Sequence, residues 1–220
     1  MKKLLLASLA ILTLSACVQE ASRTMPIQKV ESAARPSSEP RVPVSIGKFN
    51  NRSSFMRGVF SNNEDRMGSQ AQTILTTHLQ QSQRFSVLER NVMSEIKQEA
   101  EFKKQTQNIK GADYVITGDV TEFGRKDVGD KQLFGILGRG KTQVAYAKVN
   151  LNIVNILTSE VVYSIQGAGE YSLSEREVIG FGSTAGYDST LNGKVLDLAI
   201  RDAVNNLVTG IESGAWRPLK

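Results

Sequence analysis

Cysteine and histidine are almost missing from this sequence, and their scarcity excludes several classes of function. Cys17 is the only cysteine and His78 the only histidine among 220 residues. A single cysteine cannot supply a disulfide framework or a cysteine-ligated zinc site. A single histidine likewise excludes a multi-histidine metal centre. We therefore predict a protein without a bound metal or other cofactor.

Aromatic residues and charge of one sign are also sparse. Aromatic side chains make up 6% of the chain, and the formal net charge is +5. Removing the two N-terminal lysines, Lys2 and Lys3, lowers this value from +5 to +3. Proteins that bind nucleic acids usually concentrate basic charge on one face or in one segment. The composition therefore gives no reason to expect a nucleic-acid partner.

Long hydrophobic runs are absent apart from one near the N-terminus. Lys2 and Lys3 precede the apolar run Leu4–Leu14, which is shorter than the about 20 apolar residues of a membrane-spanning helix. A basic start, a short apolar run and small residues behind it are typical of a secretory signal peptide. We assign residues 1–16 to such a peptide and expect an exported protein.

The residues that end this run indicate lipid attachment. Leu14-Ser15-Ala16-Cys17 resembles the bacterial lipobox, in which the cysteine is acylated and becomes the first residue of the mature protein. The alternative is a free Cys17 beside an ordinary cleavage site. Two or more acyl chains anchor a protein stably, whereas one does not. Val18 rather than Asp follows the cysteine, as in lipoproteins that are passed on to the outer membrane.

The mature chain divides into a polar segment and one domain. Residues 17–41 are rich in Ser, Pro, Glu and Arg, and we predict a flexible, lipidated tether. Residues 42–220 have the size of a single domain. Alternating and helical apolar patterns predict strands at 42–49, 84–90, 111–123, 143–156 and 161–171, and helices at 69–83, 91–105 and 193–212. This order predicts a mixed α/β or α+β layer fold.

Two segments are longer than this fold needs for its connections. Residues 124–142 join two strands, and residues 170–192 separate the last strand from the last helix. Connections of this length are uncommon in compact domains and are often functional.

The first of these segments contains a match to a nucleotide-binding pattern. Gly135–Thr142 fits G-x-x-x-x-G-K-[ST] letter for letter, a pattern in which a glycine-rich loop and a helix N-terminus hold phosphates. Charged residues precede the match, where a buried parallel strand would be apolar. An alternating strand pattern follows it, so no helix begins there. We therefore expect no bound nucleotide and no enzymatic activity.

The order of several motifs resembles a known family. The sequence contains VPVSIGKFNN, RFSVLERN, GADYVITGDVTEF, AKVNLNIVNILTSEVVYS and AVNNLVTGIESGAW in this order. They resemble the CsgG family of curli secretion channels, over nearly the whole mature chain. The resemblance implies an outer-membrane lipoprotein with a periplasmic α/β domain. It also implies a homo-oligomeric ring, in which each protomer adds two β-hairpins to a shared transmembrane barrel that exports unfolded fibre subunits without nucleotide.

The same resemblance assigns functional residues by their position. Segments 124–142 and 170–192 occupy the places of the two membrane hairpins, and both have the length that a hairpin of membrane strands needs. In the loop after the first strand, Phe60, Asn62 and Asn63 occupy the place of the channel constriction. The alternative for these three residues is an ordinary surface loop.

Charges within the first segment keep a second function open. Arg125, Asp127 and Lys131 fall on one parity, and Lys126 and Asp130 fall on the other. A lipid-facing strand is instead apolar at every second residue. The alternative is therefore a non-pore periplasmic lipoprotein that scaffolds envelope assembly through contacts with companion lipoproteins. A P-loop NTPase is the third hypothesis.

Overall fold

The computed structural model describes residues 27–55, 65–131, 139–176 and 191–219. Its strands are β1 (Val42–Asn51), β2 (Phe85–Leu88), β3 (Tyr114–Lys131), β4 (Arg139–Asn155) and β5 (Val161–Arg176). Its α-helices are α1 (Arg66–Gln81), α2 (Met93–Phe102) and α3 (Leu191–Glu212), and a 3-10 turn spans Glu31–Ala34. The strands form one five-stranded mixed sheet in the order β2-β1-β3-β4-β5. The prediction of a mixed α+β layer fold is confirmed.

The direction of each strand follows from the connection that precedes it. β1 pairs in parallel with both β2 and β3, and parallel neighbours need long crossovers. Helix α1 lies in the connection from β1 to β2, and helix α2 lies in the connection from β2 to β3. β3, β4 and β5 are antiparallel neighbours. The tight turn between β4 and β5 is held by Asn155 Oδ1, which accepts the N–H groups of Leu157 (2.8 Å) and Thr158 (3.2 Å).

The hydrophobic core lies between one face of the sheet and helices α1 and α3. Every second residue of β4 from Ala145 to Ile153 is buried, as the period of a strand requires. The buried residues of these two helices recur at helical spacing. They include Ala71, Leu75 and Leu79 of α1, and Val195, Leu196, Ala199, Ile200, Ala203, Val204 and Leu207 of α3. The helices that the apolar pattern predicts at 69–83 and 193–212 are therefore confirmed.

Helix α2 forms within the predicted range of residues 91–105 but is exposed. The sequence places Val92, Ile96 and Ala100 on one side of this helix, yet none of the helix residues is buried, and Ile96 is 40% exposed. A stripe of this size specifies a helix but buries too little apolar surface to hold it firmly against the sheet. A backbone N–H and the Ser94 hydroxyl donate hydrogen bonds to Glu95, and they lower the pKa of that carboxyl.

The first residues that the structure describes pack along α3. We call Val30–Arg35 the N-terminal strap. The side chain of Val30 is 2% exposed, and the N–H of Glu31 donates to Asn205 Oδ1 at 3.1 Å. The structure differs here from the flexible tether that we expected as far as residue 41. A buried valine and a hydrogen bond to the main chain hold the strap on the domain.

Candidate functional site at the open end of the sheet

Strands β3, β4 and β5 continue beyond the part of the sheet that the helices cover. Helix α3 begins beside a row of paired residues formed by Arg125, Ala145 and Tyr171. At this row Arg125 Nε donates to Asn192 Oδ1 at 2.9 Å, and Lys194 Nζ lies 5.1 Å from the centre of the Tyr171 ring. The strand segments beyond the row, which we call the strand extension, are 126–131, 139–144 and 172–176.

Backbone pairing holds the strand extension together. β3 and β4 stay in register as far as Lys131 opposite Arg139, and β4 pairs with β5 as far as Gly140 opposite Arg176. β3 has 18 residues, β4 has 17 and β5 has 16, whereas strands of globular proteins usually have about 5 or 6. The three strands are therefore much longer than the hydrophobic core beneath them requires.

The two segments that the sequence predicts as hairpins belong in part to this extension. The described residues of segment 124–142 form an antiparallel strand pair, and the first residues of segment 170–192 form the end of β5. The apolar pattern of β5 ends at Tyr171, but the strand continues to Arg176 because its pairing with β4 continues. Residues 132–138 and 177–190 lie outside the described residues.

The nucleotide-binding pattern falls partly on β4. Gly140–Thr142 are strand residues that pair with both β3 and β5, while residues 135–138 lie outside the described residues. A phosphate cradle needs the unpaired N–H groups of a helix N-terminus directly after the glycine-rich loop. A strand between two neighbours uses its N–H groups within the sheet. The described part of the pattern therefore has the wrong geometry for a P-loop.

Charged and aromatic side chains surround the foot of the strand extension, on the face of the sheet opposite to the helices. Lys148 Nζ lies 2.9 Å from Glu122 Oε1, and both side chains are about half exposed. The Tyr146 ring lies across Gly124, where a Cβ atom would come within 2.5 Å of the Tyr146 hydroxyl. An open depression of about 420 Å³ is lined by Glu122, Lys126, Tyr146 and Lys148. Such charged groups favour water.

The loop after β1 is closed at its base by Asp65. One carboxylate oxygen of Asp65 accepts the N–H of Gly68 (2.7 Å) and so caps helix α1. The other oxygen accepts the N–H of Asn51 at the end of β1 (2.6 Å). The glycine at position 68 lets the start of α1 lie close to β1, because a Cβ atom there would be 2.3 Å from the carbonyl oxygen of Phe49. One carboxylate thus joins the strand that enters the loop to the helix that leaves it.

A second set of contacts fixes the start of this loop on β3. Arg52 Nε donates to Asp119 Oδ1 at 2.8 Å, and the backbone N–H of Arg52 donates to the carbonyl of Val120 at 2.9 Å. The ring of Phe55 lies 4.7 Å from the ring of Phe123. β3 enters the strand extension shortly after Phe123. The loop and the extension therefore leave the domain at the same end of the sheet.

The predicted site residues themselves are not among those that the structure describes. Phe60, Asn62 and Asn63 fall in residues 56–64, and Cys17 falls in residues 1–26. For the loop after β1, the structure instead describes where the chain on either side of residues 56–64 is fixed.

Sequence reasoning missed the role of Asp65. An aspartate directly before a helical pattern is an N-cap signal, so its bond to Gly68 could have been predicted from the sequence. Its second bond, to Asn51, crosses a loop of unknown shape and has no signal in the sequence. The same is true of the ion pair between Arg52 and Asp119.

The acidic residues and the single histidine are the remaining candidates for a metal site. Within the described ranges, no group of three or more His, Cys, Asp or Glu side chains is placed to hold a metal ion. The single histidine joins two helices, since His78 Nε2 of α1 lies 2.8 Å from Asp197 Oδ1 of α3. In the same part of the chain, no helix is long and apolar enough to cross a membrane.

Comparisons with known sequences connect the chain to one family. The family model of the curli production assembly/transport component CsgG matches residues 24–219. A protein of Neisseria meningitidis serogroup B named "Putative lipoprotein NMB1126/NMB1164" is 63% identical over 209 residues, which are 95% of this chain and 94% of the relative.

Solved structures that resemble the chain are more distant. The hypothetical protein CT253 from Chlamydia trachomatis is 13% identical, with a TM-score of 0.41, and the match covers 79% of this chain and 97% of that chain. The PelC dodecamer from Paraburkholderia phytofirmans is 14% identical, with a TM-score of 0.36 and coverage of 77% and 93%. TM-scores this low have no bearing on function. Because the family model matches nearly the whole chain, the protein belongs to the CsgG family, the curli production assembly/transport components.

Proposed function

We propose that this protein is a lipid-anchored outer-membrane member of its family whose protomers form a ring-shaped, nucleotide-independent secretion channel. Its substrates are unfolded subunits of extracellular fibres or other surface proteins. In this proposal Cys17 carries the lipid, the strand extension enters the membrane, and the loop after β1 forms the constriction. The lipid anchor is supported by the meningococcal relative, which is named as a lipoprotein.

The observation that carries this proposal is the arrangement of three features at one end of the sheet. The strand extension leaves the domain beyond the row of Arg125, Ala145 and Tyr171. The loop after β1 leaves between Asn51 and Asp65, next to β3. The N-terminal strap leads towards the same end. A channel needs its anchor, its membrane strands and its constriction within reach of one another.

The direction of the N-terminal strap follows from its contacts along α3. Arg35 Nη2 lies 3.5 Å from Glu212 Oε2 at the C-terminus of the helix. Gln28 lines an open depression together with Leu198, which is nearer to the helix N-terminus. The chain therefore approaches the strand extension as it runs back towards Cys17. From Gln28 an extended chain reaches a cysteine at position 17 within roughly 40 Å, which keeps the open end of the domain close to the membrane.

The proposed constriction has a simple physical basis. In a ring, Phe60, Asn62 and Asn63 would be repeated around one axis. Phenyl rings and amide groups contact an extended chain without strong sequence preference, which suits a channel for unfolded subunits. Asp65 and Asn51 hold the base of each loop, so the loops would keep a fixed distance from the axis.

Planar-bilayer recording of the lipidated protein, purified in detergent as a homogeneous oligomer, tests the channel. We expect large, stable conductances, and Phe60→Ala should increase the single-channel conductance because it removes a ring of phenyl groups. Phe102→Ala is the matched control, since Phe102 lies on α2 and is 69% exposed. A homogeneous ring without conductance would refute the channel.

Two further measurements test the anchor and the absence of nucleotide. Cys17→Ala should move the protein from the membrane fraction to the soluble fraction. If the variant stays in the membrane fraction, lipidation at Cys17 is not what anchors the chain. The thermal midpoint of unfolding should be the same with and without ATP or GTP, because the described half of the P-loop pattern is a paired strand.

A second candidate function is a non-pore scaffold for envelope assembly. The observation that favours it is a set of large apolar side chains on the surface, with Phe102 69% and Leu157 84% exposed. Exposed apolar side chains mark protein contacts where they form a contiguous patch. A photo-crosslinking amino acid at position 102 would capture companion lipoproteins in this case. Such adducts together with silent bilayers would favour the scaffold over the channel.

A further inference from the structure

The edge of the sheet at β5 is partly occupied by side chains of α3. β5 is the last strand in the sheet, so half of its backbone groups point away from β4, and such groups are a template for another strand. Two of them are already bonded. The N–H of Ala168 donates to Asp202 Oδ2 at 3.0 Å, and the carbonyl of Gln166 accepts from Asn206 Nδ2 at 3.0 Å.

Small residues bring α3 close enough to the strand for these bonds. A Cβ atom on Gly167 would lie 2.3 Å from both the carbonyl oxygen of Ala199 and the nitrogen of Ala203. A Cβ atom on Gly169 would lie 2.8 Å from the nitrogen of Ala199. The helix backbone therefore rests directly on the strand. From this position the side chains one turn apart on α3, Asp202 and Asn206, reach around the edge.

We propose that Asp202 and Asn206 form an edge clamp that closes this part of β5 to strand addition. A parallel strand added here would present one carbonyl to the N–H of Ala168 and one N–H to the carbonyl of Gln166. The carboxylate of Asp202 and the amide of Asn206 supply the same acceptor and the same donor. An incoming strand must therefore displace two hydrogen bonds before it forms any.

The edge clamp restricts growth of the sheet to the strand extension. At Gln166 and Ala168 the outward backbone groups of β5 are bonded to α3, and beyond Tyr171 the strand continues past the start of that helix. An open edge of this length would capture other extended chains by backbone pairing. A protein of this family would then bind its own copies or strand-forming chains along the side of the domain. This inference concerns the isolated fold and holds whether or not the protein is a channel.

Hydrogen exchange of the full-length, lipidated protein in detergent tests the first step. Asp202→Ala should speed the exchange of the Ala168 N–H by about tenfold, because a bond to a charged acceptor is lost. Asp202→Asn keeps an acceptor oxygen and should restore most of the protection. Asn205→Ala is the matched control, since the Asn205 side chain accepts the N–H of Glu31 and does not contact β5 in this way. Unchanged exchange at Ala168 in Asp202→Ala would overturn the proposal.

Binding of a labelled peptide tests the second step. A peptide with the sequence of residues 147–155, the strand that pairs with the inner edge of β5, should bind the double variant Asp202→Ala/Asn206→Ala at least about tenfold more tightly than the unchanged protein. Asn206→Ala alone, which removes only a neutral donor, decides the matter if the double variant does not fold. Equal binding by the unchanged protein and by each folded variant would refute the edge clamp.

Discussion

The two parts of β5 have the same backbone geometry and the same neighbour but different surroundings. From Val161 to Gly169 the strand packs against α3, and its edge is held by Asp202 and Asn206. From Ser172 to Arg176 it continues in the strand extension, where pairing with β4 persists. Hydrogen bonds to one neighbour are therefore enough to define a strand, but burial and edge protection are separate properties. The covered part belongs to the core, whereas the described part of the extension is defined by its strand pairing.

The largest expected effect is in the covered part. Gly167→Ala should lower the free energy of unfolding by about 3 kcal/mol, because its methyl group would overlap the backbone of α3. Urea unfolding of the detergent-solubilised protein measures this. Gly111→Ala is the matched control, since a Cβ atom there has no neighbour within 4 Å. Equal stability of the two variants would mean that α3 does not rest on β5.

The N-terminal strap adds to the covered part by packing on α3. Val30→Asp should lower the free energy of unfolding by about 2 kcal/mol, because a buried side chain becomes charged and the strap detaches. Ile27→Asp, at a residue that is 78% exposed, should have no measurable effect. Limited proteolysis should also cut residues 31–41 faster in Val30→Asp. A strap that resists protease in this variant would contradict the packing of Val30.

Asp65 lies at the boundary between the covered part and the open end. Asp65→Ala should lower the free energy of unfolding by about 1.5 kcal/mol, because the cap of α1 and the bond to Asn51 are both lost. Asp65→Asn keeps acceptor capacity and should retain about half of this stability. Thermal unfolding of the unchanged protein and of the two variants measures the order of their stabilities. If Asp65→Asn were as unstable as Asp65→Ala, the negative charge rather than the acceptor would hold the loop base.

The smallest effect is expected beyond the helices. Ser172→Val should change the free energy of unfolding by less than about 0.5 kcal/mol, because Ser172 is exposed and lies past the start of α3. Its comparison with Gly167→Ala, five positions earlier in the same strand, measures how sharply the core ends. A large loss of stability in Ser172→Val would mean that the extension is packed in the protein as purified.

Most of the element order was predictable from the sequence, because the apolar period of a strand or a helix is visible in its own residues. Leu75 and Leu79 predict the buried face of α1, and the alternation around Leu151 predicts the buried face of β4. The helix around Ile96 was predictable but its exposure was not, because a helical period does not specify a packing partner. The end of β5 was misjudged for a similar reason, since its last residues are strand by pairing and not by pattern.

Less of the candidate site was predictable. The resemblance located the loop after β1 and the two long segments, but it could not supply the contacts that fix them. Two hydrogen bonds show this, one between Asp65 and Asn51 and one between Arg52 and Asp119. Whether these residues meet depends on the path of the loop and on the position of β3 beside β1. Phe60, Asn62, Asn63 and Cys17 remain predictions from the sequence, outside the described residues.

The sequence by itself determined the kind and order of the elements and the family to which the chain belongs, because these depend on local periodicity and on motif order. Only the tertiary structure decided what each element faces. The strand order, the packing of the N-terminal strap on α3 and the edge clamp all depend on pairs that are distant in sequence, such as Glu31 with Asn205 and Ala168 with Asp202. Such pairs form only when the sheet brings helix and strand backbones together, and small residues at Gly167 and Ala203 set how closely they meet.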